Sequence, residues 1–267
     1  MTEQQQCDHE EDLQRLRGFR LIDDTFMRVF LRGELGLAQM ILRTITGIKD
    51  LKLTKDSTPQ KDLKRLVGAR GLCLDYHGVD TKGRQYDLEV QRDDDGAKPK
   101  RVRYHASALD VENLDEGDDF EDLPTTYIIM LTEHDYWKKG KALYSVKKTI
   151  EGEEYDDGQH ILYVNASYKG KNKIGKLMHD FMCSTPEEMY SKRLAERARY
   201  LKKDPEGVKL MCQVMEEMRE ESIQRGIDMS RIESIKAVMR KLKYSAQQAM
   251  EFLDIPEAEQ SKYMAKI

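Results

Sequence analysis

The sequence predicts an α/β or α+β domain built on a mixed β-sheet, and two stretches carry that prediction. Residues 71–91 have the pattern of two strands joined by a tight turn, because apolar and polar residues alternate on both sides of residues 80–83. Residues 125–131, TTYIIML, are apolar on both faces, as is typical of a central strand covered from both sides. The order helix–strand–strand–helix–strand, with long connections, favours a mixed sheet flanked by helices.

Helical spacing of apolar residues predicts the flanking helices. Residues 25–45 contain two helices separated near Gly33, with Asp23 or Asp24 as the N-cap of the first. A third helix is predicted from Lys98 to Leu114, within which Tyr104 and His105 are expected to be packing residues. Further strands are predicted at 141–147 and 160–165, and a helix at 186–203.

The chain is expected to have three parts. Residues 1–17 are polar and predict a mobile arm, residues 18–203 form the main domain, and Asp204-Pro205 begins a helical region that covers 204–267. An apolar stripe in this last region predicts packing, either within the region or in a homo-oligomer formed through the C-terminal helices. Its two short final helices would also fit a helix-turn-helix, although acidic residues outnumber basic ones there.

Composition narrows the functional classes. The formal net charge is −4, so any contact with nucleic acid has to come from a local basic surface. The four cysteines have no paired spacing, which favours reduced thiols in the cytosol. The polar N-terminus does not resemble a signal peptide, and no apolar run is long enough to span a bilayer. We therefore expect a cytoplasmic protein without a membrane partner.

The predicted hairpin brings two carboxylates together. A three-residue loop at 81–83, with Gly83 in the left-handed conformation, pairs Asp80 with Arg84 and sets Asp75 opposite Glu89. A four-residue loop would instead place Asp75 opposite Leu88. Directly opposed side chains have Cβ atoms about 4.5–5.5 Å apart, where like charges repel. A hard divalent cation such as Mg²⁺ would offset that repulsion.

The triplet Asp75-x(13)-Glu89-x-Gln91 resembles the active-site signature of the PD-(D/E)XK nuclease superfamily, with Gln where Lys is usual. Six segments extend the resemblance over roughly residues 20 to 200 and point to the bacterial recombination-promoting nuclease/putative transposase family. They are IDDTFMRVF, CLDYHGVDTKGRQYDLEVQ, KRVRYHASALD, TTYIIMLT, ALYSV and DDGQHILYVNASYKG. The resemblance implies an α/β restriction-endonuclease-like core and a DNA endonuclease that leaves 5′-phosphate and 3′-hydroxyl ends, linked to DNA recombination or mobile elements.

The resemblance also implies roles for individual residues. Asp75 and Glu89 would hold Mg²⁺, with Mn²⁺ as an alternative ion and the backbone carbonyl of Val90 as a further ligand. Gln91 would orient the attacking water. An acid of the first helix can join the metal ligands in this family, which makes Asp23 a candidate in addition to its reading as an N-cap. Four cations at the start of the helix after the hairpin would contact DNA phosphates, or else form ordinary helix-surface charge: Lys98, Lys100, Arg101 and Arg103.

Two other functions remain open from the sequence. One is a catalytically idle nuclease fold that binds DNA or a protein partner, and the other is a transposase that joins as well as cuts. The histidines show no paired metal spacing, which disfavours a zinc site. Phosphate-binding and nucleophile-elbow motifs are not found. The acidic hairpin is therefore the feature from which the function is predicted.

Overall fold

The computed structural model describes residues 3–63, 72–264 and 266–267, with the side chains of residues 3–9 left aside. Gly71, the first residue of the predicted hairpin stretch, falls outside these ranges. The helices of the described part are α1 (Glu3–Gly18), α2 (Asp24–Leu31), α3 (Leu35–Thr46), α4 (Pro99–Asn113), α5 (Lys173–Met182), α6 (Lys192–Lys203), α7 (Pro205–Leu242), α8 (Ala246–Phe252) and α9 (Glu257–Met264). Its strands are β1 (Thr58–Leu63), β2 (Leu72–Val79), β3 (Gln85–Gln91), β4 (Thr126–Thr132), β5 (Leu143–Ser145), β6 (Thr149–Ile150), β7 (Glu153–Glu154) and β8 (Gln159–Asn165).

A six-stranded mixed sheet lies at the centre, in the order β1-β2-β3-β4-β8-β5. Strands β1, β2 and β3 are antiparallel neighbours, β3, β4 and β8 are parallel, and β5 runs antiparallel to β8. Helix α4 joins β3 to the parallel strand β4, because parallel strands need a crossover connection. Its Val102, Ala106 and Leu109 belong to one buried cluster with Ile128 and Met130 of β4. The predicted α/β architecture, a restriction-endonuclease-like mixed sheet flanked by helices, is confirmed.

Strand β3 is more deeply buried than its alternating sequence suggests. The pattern predicts a half-buried strand, yet every residue from Tyr86 to Val90 is buried. The reason is its place between β2 and β4, with α4 covering the face that carries the polar side chains. Asp87 and Glu89 therefore lie inside the domain.

Two elements differ from the sequence prediction. Strand β1 occupies residues 58–63, where the sequence pattern predicts no strand. The predicted helix at 186–203 is a 3-10 turn (Pro186–Glu188) followed by α6. Buried Asp180 explains this break, because its carboxylate accepts hydrogen bonds from the backbone N–H groups of Tyr190 and Ser191. Helix α7 is one long helix that continues through Gly226.

The chain divides into two compact units, Met1–Cys212 and Gln213–Ile267, and the division falls inside α7. In the first unit, the segment expected to be a mobile polar arm forms α1, and its Leu16 is buried. The second unit has its own small core, which includes Ile235, Met250 and Tyr263. Within the described ranges, none of the helices combines the length and apolar composition needed to cross a membrane.

Candidate active site

The hairpin β2–β3 closes through a three-residue loop. The Asp80 N–H donates to the Arg84 carbonyl at 3.0 Å, and the Gly83 N–H donates to the Asp80 carbonyl at 3.0 Å. Gly83 has φ 77°, a left-handed conformation that glycine adopts without strain. The resulting register pairs Val79 with Gln85 and continues to Tyr76 opposite Leu88, so the predicted register is confirmed.

Beyond that last pair, side chains replace the backbone ladder. The Asp75 N–H donates to Glu89 Oε1 at 2.9 Å, and the Val90 N–H donates to Asp75 Oδ2 at 2.9 Å. In an uninterrupted antiparallel ladder, both donors would face carbonyl oxygens. The two strands are therefore bridged by carboxylates at this point, and Asp75 and Glu89 are brought together.

The environment of Asp75 favours its neutral form. Burial raises the pKa of its carboxyl well above the usual value, and the charges of Glu89 and Asp24 raise it further. The Val90 N–H and Arg28 act in the opposite direction. Asp24 belongs to the first turn of α2, where one oxygen pairs with Arg28 at 2.7 Å and the other, Oδ1, is buried with no hydrogen-bond partner in the described part of the chain. Negative charge thus exceeds positive charge around Asp75.

Glu89 has a second set of neighbours on the side of α4. His105 Nδ1 lies 3.1 Å from Asp87 Oδ2 and 3.9 Å from Glu89 Oε1, and all three side chains are buried. Potential ligand atoms of the three residues lie within 4.8 Å of one another, which is close enough to hold a metal ion. Burial raises the pKa of Asp87 and of Glu89 to about 8 in each case. Asp87 Oδ1 and His105 Nε2 find no hydrogen-bond partner among the residues that the structure describes.

Gln91 closes β3 and packs against the 3-10 turn Asp94–Ala97. A Cβ atom at residue 96 would lie 1.7 Å from Gln91 Oε1, so any side chain there would displace the end of the Gln91 side chain. The Gln91 carbonyl accepts a hydrogen bond from the Glu133 N–H at 2.9 Å, which ties the end of β3 to the end of β4. Strand alternation places Gln91 on the same face as Asp87 and Glu89.

Comparison with known protein families shows the family to which the chain belongs. A family model described as PD-(D/E)XK nuclease family transposase matches residues 36–175, more than half of the chain. The chain belongs to this family. The matched range includes the hairpin, α4, β4 and β8, and therefore Asp75, Glu89 and Gln91. Searches of curated proteins and of solved structures returned no significant match.

The basic start of α4 lies near the acids of this nuclease-family core. Lys98, Lys100, Arg101 and Arg103 are all exposed, and Lys98 pairs with Asp95 at 2.6 Å. The charge of Arg101 lowers the pKa of buried Asp87, although burial outweighs it.

Asp23, the acid of the first helix that the sequence singled out, has basic partners. It accepts the Arg20 N–H at 2.7 Å and pairs with Arg92 Nη1 at 3.0 Å. It precedes α2 in the N-cap position, but its side chain makes no capping hydrogen bond. The α2 acid whose charge acts on Asp75 is instead its neighbour Asp24. Asp23 and Asp24 are adjacent in the sequence, and only the packing of α2 on the sheet determines which of them acts on Asp75.

Sequence reasoning missed His105 and gave Asp87 no role. The i, i+2 spacing of Asp87 and Glu89 is visible in the sequence, whereas the contact with His105 depends on how α4 crosses β3. These residues fit a divalent cation on chemical grounds. Carboxylate oxygens suit Mg²⁺ and Mn²⁺, and an imidazole nitrogen suits softer divalent ions.

Proposed function

We propose that this chain is a metal-dependent DNA endonuclease that hydrolyses phosphodiester bonds and acts in DNA recombination or on mobile elements. The observation that carries the proposal is the meeting of Asp75 and Glu89 at the interrupted end of the β2–β3 ladder. Their mutual charge and burial are unfavourable unless a proton or a cation compensates. A divalent cation would compensate the negative charge and would also promote hydrolysis of the phosphodiester bond.

Asp75 and Glu89 would hold Mg²⁺, or Mn²⁺ as an alternative, with the Val90 carbonyl as a further ligand. When bound, such an ion polarises a phosphoryl oxygen and lowers the pKa of a water molecule. Glu89 has a pKa of about 8 in the metal-free protein, so it must release a proton before it can act as an anionic ligand. Metal affinity should therefore increase with pH.

Other residues of the chain would bind and position the substrate. Gln91, held against Gly96, can orient a water through its amide, but it adds no positive charge beside the attacked phosphate. We therefore expect modest turnover. The exposed cations at the start of α4 would contact the DNA backbone without reading its sequence: Lys98, Lys100, Arg101 and Arg103.

The decisive experiment is nicking of supercoiled plasmid by wild type, Asp75→Asn and Glu89→Gln in Mg²⁺, Mn²⁺ or chelator. Both substitutions keep a hydrogen-bond acceptor and remove the charge. We expect either variant to lower the cleavage rate by at least about 100-fold, because metal stabilisation of the transition state is worth several kcal/mol. Glu121→Gln, an exposed acid in the 3-10 turn Phe120–Asp122, is the matched control. Wild-type rates in the Asp75 or Glu89 variant would refute the site.

One observation favours a catalytically idle DNA- or protein-binding module as the second candidate. Glu89 and Asp75 already have structural partners, since each carboxylate accepts a backbone N–H group. That role would persist in a protein that does not cleave. Wild-type protein that shifts DNA in a gel, yet leaves plasmid intact with each metal, would support this alternative.

A further inference from the structure

A cavity of about 930 Å³ opens at the carboxyl ends of β4 and β8. Residues 133–134 after β4 and 166–171 after β8 form one side of it. Lys176 and His179 of α5, together with Tyr190, form another. In sheets with parallel strands, ligands commonly bind in crevices outside the carboxyl ends of the strands. The roles assigned to the acidic hairpin make no use of this cavity.

The cavity adjoins the candidate active site. The Glu133 N–H donates to the carbonyl of Gln91, and the Ala166 N–H donates to the carbonyl of Thr132 at 2.8 Å, so the three strand ends lie side by side. Two strand spacings separate β3 from β8, about 10 Å in total. About three nucleotide rises of ~3.4 Å cover that distance. One DNA strand could thus extend from Gln91 into the cavity.

The charge of the cavity suits phosphate. Three exposed lysines line it, Lys169, Lys171 and Lys176, and among the described residues none of them pairs with a carboxylate. Two acids are also in the lining: Glu133, whose charge is matched by Arg20 at 2.9 Å and Arg92 at 3.0 Å, and Glu188, so the three lysines face one further carboxylate. The lysines therefore give the cavity a positive character in a chain of net negative charge.

An exposed aromatic side chain lies in the same wall of the cavity. Tyr190 is 62% exposed, although its backbone N–H is fixed by a 2.7 Å hydrogen bond to buried Asp180. The His179 ring contacts it edge-on, with ring centroids 4.6 Å apart, and Lys176 Nζ lies over the Tyr190 ring, 5.7 Å from its centroid. Proteins that hold single-stranded DNA combine such aromatic platforms with basic grooves that follow the backbone.

Building on the proposed function, we propose that this cavity binds an unpaired nucleotide of the DNA substrate. Tyr190 stacks on the base, while Lys171 and Lys176 contact the flanking phosphates. A base inside a duplex is already stacked and has to leave the helix before it can meet an aromatic side chain. The preferred substrate class is therefore duplex DNA that carries a single-stranded segment, such as an overhang or a gap.

The test measures binding separately from cleavage. Fluorescence anisotropy in chelator compares a blunt duplex, the same duplex with a five-nucleotide overhang, and that overhang with abasic sites. Wild type is expected to bind the overhang about tenfold more tightly than the blunt or the abasic duplex, as base–aromatic stacking predicts. Tyr190→Ala should bind the overhang and the abasic overhang with equal affinity.

Charge variants provide the matched comparison. Lys171→Ala and Lys176→Ala should each reduce the slope of log affinity against log salt on the overhang by about 0.7, the contribution of one phosphate contact in a single strand. Lys173→Ala is the control. Lys173 is exposed and belongs to α5, as Lys176 does, but it does not line the cavity. Thermal melts establish that each variant is folded.

Equal binding of overhang and blunt duplex by wild type would overturn the proposal. An equal loss of slope in the Lys173 control would also overturn it. Failure of the endonuclease function has a different signature, in which the overhang is preferred but no metal supports cleavage. Cleavage without any preference for the overhang would retain the endonuclease and remove the nucleotide site.

Discussion

At the scale of single residues, Glu89 matters most because it belongs to two buried groups. On one side its carboxylate accepts the Asp75 N–H, and on the other it lies beside Asp87 and His105. The pKa values of Asp87 and Glu89, each about 8, mean that the metal-free protein holds protons in this region at neutral pH. Because these protons are released as pH rises, both the stability of the protein and its affinity for metal should depend on pH.

The first prediction concerns the stability of the metal-free protein. An acid whose folded pKa is raised stabilises the fold fully only below its unfolded pKa, about 4, and loses that contribution as pH rises through the folded pKa, about 8. Thermal melts in chelator should therefore show stability falling from pH 5 to pH 9, by up to about 1.4 kcal/mol per pH unit for each additional bound proton.

Glu89→Gln should flatten this pH dependence, while Glu121→Gln should follow wild type. Saturating Mg²⁺ should raise the melting temperature most at the alkaline end, where the carboxylates are ionised and a ligand that binds only the native state adds stability. Equal slopes for wild type and Glu89→Gln in chelator would show that these carboxyls do not control the pH response.

The second prediction tests the position of Gln91. A methyl group at residue 96 would overlap Gln91 Oε1, so Gly96→Ala should displace the amide and slow cleavage to the rate of Gln91→Ala. Gln91→Lys should retain or raise the rate, because a cation stabilises charge developing on the phosphate. The measurement is single-turnover cleavage with saturating metal. We expect metal affinity to be unchanged in Gly96→Ala and in Gln91→Ala. A wild-type cleavage rate in Gly96→Ala would show that the position of the Gln91 amide does not affect catalysis.

At the scale of secondary-structure elements, the hairpin depends on side chains for part of its ladder. The Val90 N–H has the Asp75 carboxylate as its acceptor. Asp75→Ala should leave this donor unpaired, at a cost of about 1–3 kcal/mol, whereas Asp75→Asn keeps an acceptor. In chelator at pH 8, we expect Asp75→Asn to melt above wild type, because it replaces a carboxyl whose raised pKa lowers stability as pH rises, and Asp75→Ala to melt below Asp75→Asn. Identical melting of the two variants would contradict the role of this bond.

The elements differ in how well the sequence predicts them. The hairpin, β4, β8 and α4 follow from periodicity, and the register of the hairpin follows from the left-handed position of Gly83. Strand β1 and the break before α6 do not follow from periodicity. Strand β1 forms because it pairs with β2, and the break forms because buried Asp180 accepts backbone hydrogen bonds there. Asp75 and Glu89 were found because one hairpin carries both. His105 required the tertiary position of α4.

At the scale of the whole molecule, the division after Cys212 gives a test of modularity. The first unit contains the entire sheet and the candidate site, so the chain truncated after Cys212 should fold and retain metal-dependent cleavage. The removed part exposes Ile223, Ile227 and Met229, apolar side chains suited to a subunit contact. Light scattering should show a smaller assembly for the truncated chain. The same oligomeric state in both chains would exclude the C-terminal helices as the contact.

The hydrogen bonds that Asp75 and Glu89 make with the backbone also affect how the history of this family can be interpreted. Two residues that complete the sheet contribute to folding whether or not they also act in the proposed chemistry. A lineage that no longer needed to cut DNA would still leave the Val90 N–H without its acceptor by replacing Asp75 with an aliphatic residue. The persistence of both acids in a descendant is therefore weak evidence of activity. Loss of Gln91, which closes β3 without completing the β2–β3 ladder, would be the earlier sign of a gene whose nuclease function has been abandoned.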